Sequence, residues 1–364
     1  MIKRTFILDQ GEFFGGAEAF TLDFLGSLNG AEIRKINPII VGARSEVYKE
    51  RLHKANDNIP IEPFDYPSVR GNKIQKMLHT GALALAGKRL KKMAEKYDGS
   101  HQFITNTPRT HFVMYLAKKL WRIKGKWLMM IHDFTTPTRL MKAMASQSDV
   151  VIANSMPTRN HLHGILRERD KKKIKIVENG IDIRSLPKPR PVENIQQILM
   201  LGRIDPRKGQ KFALEAADLL LERNPDLHFS IVGSPVYTDQ RTVDYQKEIK
   251  TFARDRDLTN VTFEEEVPNA LERINQADLV LMLQTEPETF GRVAIEALAL
   301  GKMVLTFDET GPKEILESFL QHLGKSNIKI PRSNFIVEAG NPMSLAECIG
   351  AWADEPQKAQ ALWA

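Results

Sequence analysis

The chain carries one cysteine, Cys348, in 364 residues. No disulfide can form within it, and a thiol-ligated metal site is excluded by count. A reducing cytoplasm is the expected compartment. Long apolar runs are also missing. The longest candidates, GALALAG (81–87) and WLMMI (127–131), fall well short of the roughly 18 residues a membrane span needs. The N-terminus, MIKRTFILDQ, has too few apolar residues for a signal peptide and reads as a first strand. Aromatic residues make up 7% and no nucleic-acid motif occurs, which argues against a nucleic-acid partner. No His, Asp, Glu or Cys cluster has metal-ligand spacing, and a DxD-type metal signature is absent. Asp255 and Asp257 form D-R-D on a polar helix end, where they are expected to face solvent.

What is present describes a globular chain, 42% hydrophobic and 27% charged. At this length two domains are expected. The net charge of +7 is unevenly spread. Residues 1–186 hold 32 Lys+Arg against 18 Asp+Glu, a balance of +14, and the remainder holds 20 against 27, a balance of −7. Basic clusters fall at 70–76, 87–92, 118–126 and 167–175. They read either as solvated helix surface or as a face for an anionic partner. Of such partners a membrane surface fits better than nucleic acid, with Trp121 and Trp127 placed for a headgroup boundary or for the core.

Short apolar runs alternate with helical patterns along the whole chain. Strands are predicted at 4–9, 36–42, 101–105, 126–132 and 149–154, then at 196–202, 227–233, 260–264, 278–283 and 302–307. This alternation predicts parallel sheets covered on both faces. Between the two series lies RSLPKPRPVENI (184–195), whose three prolines in five residues cannot continue a helix or a central strand. The expected domains are 1–185 and 186–364, both doubly wound α/β, with ligands bound beyond the carboxyl ends of the strands.

The chemistry-bearing residues sit at those strand ends. Gly15 and Gly16 follow the first strand and open a helix, where glycine serves either turn geometry or close approach to a phosphate. His132 and Asp133 end a strand. Asn179-Gly180-Ile181-Asp182 precedes the linker and is a turn signal first. LGRIDPRKGQ (201–210) sets Arg203 and Lys208 in one loop beside a helix start, an arrangement suited to a diphosphate. Gly233 and Ser234 end the next strand, where a small residue lets a flat base lie against backbone. The strongest signal is EPETFGRVAIEALALGKMVLTF (286–307). It places Glu288 in a loop and Glu296 in the first turns of a helix, with Phe290 and Gly291 between them. Free N–H groups at the helix start attract an anion, and the two acids accept from hydroxyls. A ligand that is part phosphate and part polyol, such as a nucleotide sugar, suits both. ETGPKEI (309–315) is a further glycine turn entering a helix.

In this order the motifs GGAE, HD, NGID, GRIDPRKG, IVGS, ETFGRVAIEALALGK and TGPKEI resemble the retaining glycosyltransferases of family 4, of GT-B fold, from about Gly15 to Gly340. The resemblance implies two Rossmann-like domains facing a central cleft and transfer of a sugar from a nucleotide-diphosphate sugar. It matches Arg203 and Lys208 to the cations on the donor diphosphate, and Glu296 to the acceptor of ribose hydroxyls. Glu288 matches the acid facing the donor sugar. Phe290 and Gly291 supply backbone contacts, Gly16 belongs to the glycine loop over the diphosphate, and His132 stands near sugar and acceptor. Base recognition is expected on backbone near Glu265 to Pro268.

Two residues depart from the family pattern: Thr289 replaces the usual glycine, and Arg292 stands where Leu or Pro is common. The last helix is expected near Met343, with the family's usual crossover onto the first domain missing or very short. No cofactor is expected beyond the donor, and the leaving diphosphate is to be held by Arg203, Lys208 and helix N-termini. The implied retention of configuration fits front-face attack better than a glycosyl-enzyme on Glu288, although spare carboxylates do not distinguish the routes. The acceptor is expected to be a glycan or a lipid-linked molecule, with attachment to an anionic membrane face. A non-catalytic scaffold, a nucleotide-sugar 2-epimerase and a phosphorylase are the alternatives. Intact Arg203, Lys208, Glu288 and Glu296 argue against the first. Unplaced acid/base residues count against the second, and chain length against the third.

Overall fold

The computed structural model describes residues 4–11, 16–67, 73–236, 239–308, 311–325 and 331–355. The chain forms two compact units, Met1–Asp182 and Ile183–Ala364.

The first unit holds seven parallel strands: β1 (Arg4–Asp9), β2 (Pro38–Gly42), β3 (Ile61–Glu62), β4 (His101–Thr105), β5 (Lys126–Ile131), β6 (Val150–Ala153) and β7 (Ile174–Ile176). Their order is β3-β2-β1-β4-β5-β6-β7. The strands are apolar on both faces because helices cover both. Phe6, Leu8, Ile39 and Val41 enter one core, whereas Ile7 and Ile40 enter the other, as the two-residue period of a strand requires. Leu8 pairs with Val41 on one side and Thr105 on the other, so the strand order reverses at β1/β4. Loops leaving the carboxyl ends diverge at such a point and leave room for a ligand. Gln10, Asn106 and His132 all lie just beyond strand ends on that edge.

The second unit repeats the plan with β8 (Gln197–Leu201), β9 (His228–Val232), β10 (Val261–Glu264), β11 (Leu279–Met282), β12 (Met303–Phe307) and β13 (Ile336–Val337). The order is β10-β9-β8-β11-β12-β13, all parallel, over one continuous core. The reversal falls at β8/β11, so the loops after these two strands are neighbours.

All ten predicted strands are present with slightly trimmed ends. The structure adds three edge strands, β3, β7 and β13, of two or three residues each. Trp127 is fully buried beside Thr105, to which its indole N–H donates at 2.8 Å, so it is a core residue and not a headgroup anchor. The proline-rich stretch is packed onto the second unit. Arg190 donates to the carbonyls of Asn275 (3.3 Å), Gln276 (2.9 Å) and Ala277 (3.1 Å), and buried Lys302 donates to the Arg190 carbonyl at 2.6 Å. The final described helix spans Pro342–Asp354. Among the described residues no helix is long and apolar enough to cross a membrane.

Candidate functional site

The loop after β8 is shaped by a buried aspartate. Asp205 Oδ1 accepts from the Arg207 backbone N–H at 3.0 Å, and the Arg207 guanidinium returns to both carboxylate oxygens at 3.0 and 2.6 Å. The guanidinium holds the Asp205 carboxyl below the usual carboxylate range. This closes the short turn Pro206–Lys208. At its end Gly209 (φ +80°) lies so near the Leu283 carbonyl that an added Cβ would stand 1.9 Å from the oxygen. The Thr285 N–H donates to the Arg207 carbonyl at 2.9 Å. The loops after β8 and β11 are thereby stitched together, and the consequence is a contact 80 residues apart in sequence. Lys208 Nζ donates to Glu288 Oε2 at 2.8 Å. Their side chains are 33% and 23% exposed, accessible to a ligand yet held in place.

Phe290 is buried, and Gly291 turns the chain into the helix Arg292–Ala299 with φ +85°. A Cβ there would lie 2.5 Å from Pro312 Cγ, so this turn accepts only glycine. Gly291, ahead of that helix, has no side chain to cap it, and the Ala294 N–H closes the first turn on the Gly291 carbonyl at 2.9 Å. Glu296 is buried on the helix, and Arg292 Nε donates to its Oε1 at 2.7 Å. The unusual Arg292 thus has a physical role, neutralising a carboxylate that burial would otherwise penalise. Arg203 is exposed at the end of β8 and makes no ion pair among the described residues. Its carbonyl accepts from Gln210 Nε2 at 2.9 Å. Gly233 is required by packing, because with φ +146° its Cβ would meet the Gly202 carbonyl oxygen at 2.0 Å. Ser234 Oγ beside it donates to Glu265 at 2.7 Å and accepts from the Glu266 N–H at 3.2 Å.

In the first unit Gly16 opens the helix Gly16–Ser27 at an exposed position, while Gly15 lies outside the described residues. His132 follows β5. Its Nε2 is hydrogen-bonded to Asn106 Oδ1, and its ring packs against Phe20 with 5.5 Å between centroids. Burial lowers the imidazole pKa from 6.5 to about 4, so the ring is neutral at pH 7. Asp133 is exposed. The structure therefore brings Lys208 to Glu288 and sets Arg203, Phe290, Gly291 and Glu296 on the same sheet edge of the second unit. Gly16 and His132 belong to the first unit. Asp9, Asn106, Asp205 and Arg207 escaped the sequence reading, although Asp205 and Arg207 lie inside a quoted motif and Asp9 ends the first predicted strand. Among the described residues no group of three or more His, Cys, Asp or Glu is gathered to hold a metal ion.

Two parallel-stranded units of this topology define the GT-B fold. The fold agrees with HepE of Anabaena in complex with UDP and glucose, at TM-score 0.74 and 23% identity, over 99% of this chain and 94% of that one. Residues 183–363 match the family model of glycosyl transferases group 1, and over that half the chain belongs to this family. The chain is 31% identical over 183 residues to D-inositol 3-phosphate glycosyltransferase of Rhodococcus erythropolis, covering 46% of this chain and 40% of that protein. It is 28% identical over 156 residues to lipopolysaccharide 1,2-N-acetylglucosaminetransferase of Salmonella typhimurium, covering 39% and 40%. It thus spans less than half the length of these curated relatives.

Proposed function

We propose that the protein is a retaining glycosyltransferase of family 4. It moves a sugar from a nucleoside-diphosphate sugar to a glycan or lipid-linked acceptor without a metal ion or other cofactor. The observation that carries this reading is the Lys208–Glu288 pair beside the glycine-led start of helix Arg292–Ala299. A cation and helix N–H groups suit the diphosphate, and a carboxylate next to them suits sugar hydroxyls. Arg203 adds a second cation, and Glu296 accepts the ribose hydroxyls. In the reaction the bond from the anomeric carbon to the diphosphate oxygen breaks. The acceptor oxygen bonds to that carbon from the same face, and its proton passes to the leaving phosphate oxygen. The positive groups stabilise charge as it develops on the diphosphate.

The first test is a thermal-shift panel of UDP, GDP, ADP and their sugars. A ligand at a hundred times its Kd stabilises the native state by about 2.7 kcal/mol, which is easily read as a rise in Tm. A UDP response is expected, given the nucleotide in the HepE complex. No response to any nucleotide refutes the reading. Formation of the β-anomeric product from an α-linked donor refutes retention. Loss of transfer with excess chelator, restored by magnesium or manganese, refutes metal independence.

A membrane-side acceptor is supported by the charge of the first half. Lys88, Arg89, Lys92, Lys119, Arg122, Lys124 and Lys126 are exposed, and Leu85 (57%) and Leu120 (52%) stand out among them. Trp121 joins the helix Pro108–Trp121 to the helix Lys73–Ala94, donating from Nε1 to the Ala84 carbonyl at 2.7 Å beneath Lys88. Basic residues around exposed apolar ones suit an anionic lipid surface.

A further inference from the structure

We infer that Asn106 is a positioning residue that holds His132 as the neutral tautomer with its proton on Nε2. Asn106 is buried directly after β4. Its amide nitrogen donates to the Ala17 carbonyl at 2.9 Å, to Thr21 Oγ1 at 3.0 Å and to Asp9 Oδ2 at 3.3 Å. A carbonyl and a carboxylate oxygen only accept, so the nitrogen must face them and the amide cannot turn over. Its oxygen is thereby aimed at His132 Nε2. An amide oxygen also only accepts, so that ring nitrogen must carry the hydrogen. Burial keeps the ring neutral at pH 7, which leaves Nδ1 unprotonated.

The far end of the chain is fixed as firmly. Asp9 is fully buried, and its Oδ2 receives Thr21 Oγ1 at 2.7 Å and Tyr48 Oη at 2.9 Å besides Asn106. Among the described residues its Oδ1 has no hydrogen-bond partner. Burial raises the Asp9 pKa against the hydrogen bonds from Thr21, Tyr48, Asn106 and the Gly11 N–H, and because three donors already crowd Oδ2 a proton on that carboxyl goes to Oδ1. Oδ2 remains an acceptor in either state, so Asn106 keeps its orientation whichever state Asp9 adopts. The chain Asp9–Asn106–His132 links residues 97 and 26 apart in sequence, at the ends of three adjacent strands. It fixes a chemical property of the ring beyond its place. Nδ1 can accept from a hydroxyl and cannot donate to a phosphate. On the proposed function, on which this role rests, His132 therefore serves a sugar or acceptor hydroxyl and not the diphosphate.

The test uses the full chain labelled with 15N-histidine. Long-range 1H–15N correlation separates the neutral tautomers and imidazolium, and His132→Gln identifies the signal among nine histidines. The expected wild-type pattern is neutral Nε2–H at pH 7, persisting to pH 5. An Nδ1–H or imidazolium pattern at pH 7 overturns the inference without any variant that must fold. In Asn106→Ala the tautomers should mix, and kcat should fall at least tenfold while UDP affinity by calorimetry stays within twofold. Asn106→Asp can meet the Ala17 carbonyl and the Asp9 carboxylate only with a proton on the oxygen that replaces the amide nitrogen, which leaves its other oxygen on Nε2. It should restore the Nε2–H signal, a change that a space-filling role would not cause. Unchanged tautomer and kcat in Asn106→Ala overturn the inference. A wild-type chain that binds no nucleotide defeats the proposed function instead, and its imidazole spectrum still decides the tautomer.

Discussion

The Lys208–Glu288 contact makes opposite demands on its two partners once a diphosphate arrives. The ammonium is held by the carboxylate at 2.8 Å, and both are partly open to solvent. A pair of that exposure contributes about 0.5–1 kcal/mol. A hydrogen bond from the same ammonium to a phosphate oxygen is worth about 1.5–3 kcal/mol. Binding exchanges the first for the second, so Lys208→Ala should forfeit the difference, about 1–2 kcal/mol or a five- to thirtyfold loss in UDP affinity. Glu288→Gln should release the ammonium and tighten bare UDP about two- to fivefold, the value of the restraint removed. Its turnover with a UDP-sugar should fall, because the sugar hydroxyls lose their carboxylate. The double variant should bind UDP like Lys208→Ala, since the restraint matters only while the ammonium is present. Calorimetric titration of the four proteins with UDP, at low and physiological salt, is the assay. Unchanged affinity in Lys208→Ala would remove Lys208 from the site. If Glu288→Gln lost as much affinity as Lys208→Ala, the carboxylate would be orienting the ammonium for the phosphate and not competing with it.

Three further expectations follow from other contacts. Arg292→Leu takes the guanidinium from the buried Glu296 carboxylate and sets an apolar side chain beside it; breaking such a pair costs about 3 kcal/mol, at the low end because Arg292 is 22% exposed. Its Tm should fall, with much of the loss recovered in Arg292→Leu/Glu296→Gln, and a Tm equal to wild type in the single variant would refute the pairing. Acid should weaken the chain before its carboxylates titrate. Burial lowers His111 to about 3 and His132 to about 4, so the unfolded state binds more protons below pH 6.5 and stability is lost as pH falls from 6.5 towards 4. Each ring contributes about 2 kcal/mol of that loss at pH 5, and denaturant midpoints that stay level from pH 7 to pH 5 would contradict it. Finally, the intact chain should co-sediment with anionic but not neutral vesicles, and release as salt shortens the electrostatic reach to about 8 Å or less. Equal binding to both vesicles, or to neither at low salt, would leave the basic face as solvated surface.

The sheets were legible because their central strands are apolar on both faces and their helices are not. Such a contrast survives in a single sequence. The three added edge strands did not register for the opposite reason. Ile61–Glu62 and Ile336–Val337 are too short to show any period. Ile174–Ile176 overlaps the end of the run RERDKKKIK (167–175), where charge masks a strand of three residues. The proline-rich segment was read from its backbone restrictions alone. What fixes it to the second unit is Arg190, whose guanidinium meets three backbone carbonyls and the Asp278 carboxylate; backbone acceptors leave no mark in a sequence, and the acid lies 88 residues away.

The candidate site divides along the same line. Glu288, Gly291 and Glu296 were legible because a loop and one turn of helix carry all three, so their spacing is itself the geometry. Lys208 was legible as a loop cation, but its contact with Glu288 depends on β8 and β11 being neighbours, which follows from strand order and not from local pattern. The same holds for Asp9, Asn106 and His132 at the ends of β1, β4 and β5. An aspartate closing a strand, in FILD, and an asparagine before a proline helix start each look like ordinary turn chemistry. They acquire meaning only when the crossover from β3 returns the chain to the far side of β1 and sets three strand ends side by side. Arg292 shows the converse. It was visible as a departure from the family pattern, but its partner one helical turn on, Glu296, already had a role assigned, and so the i,i+4 pairing of the two went unread. A residue that breaks a motif is therefore best examined first against the motif's own charged members, because helix geometry already places them within reach.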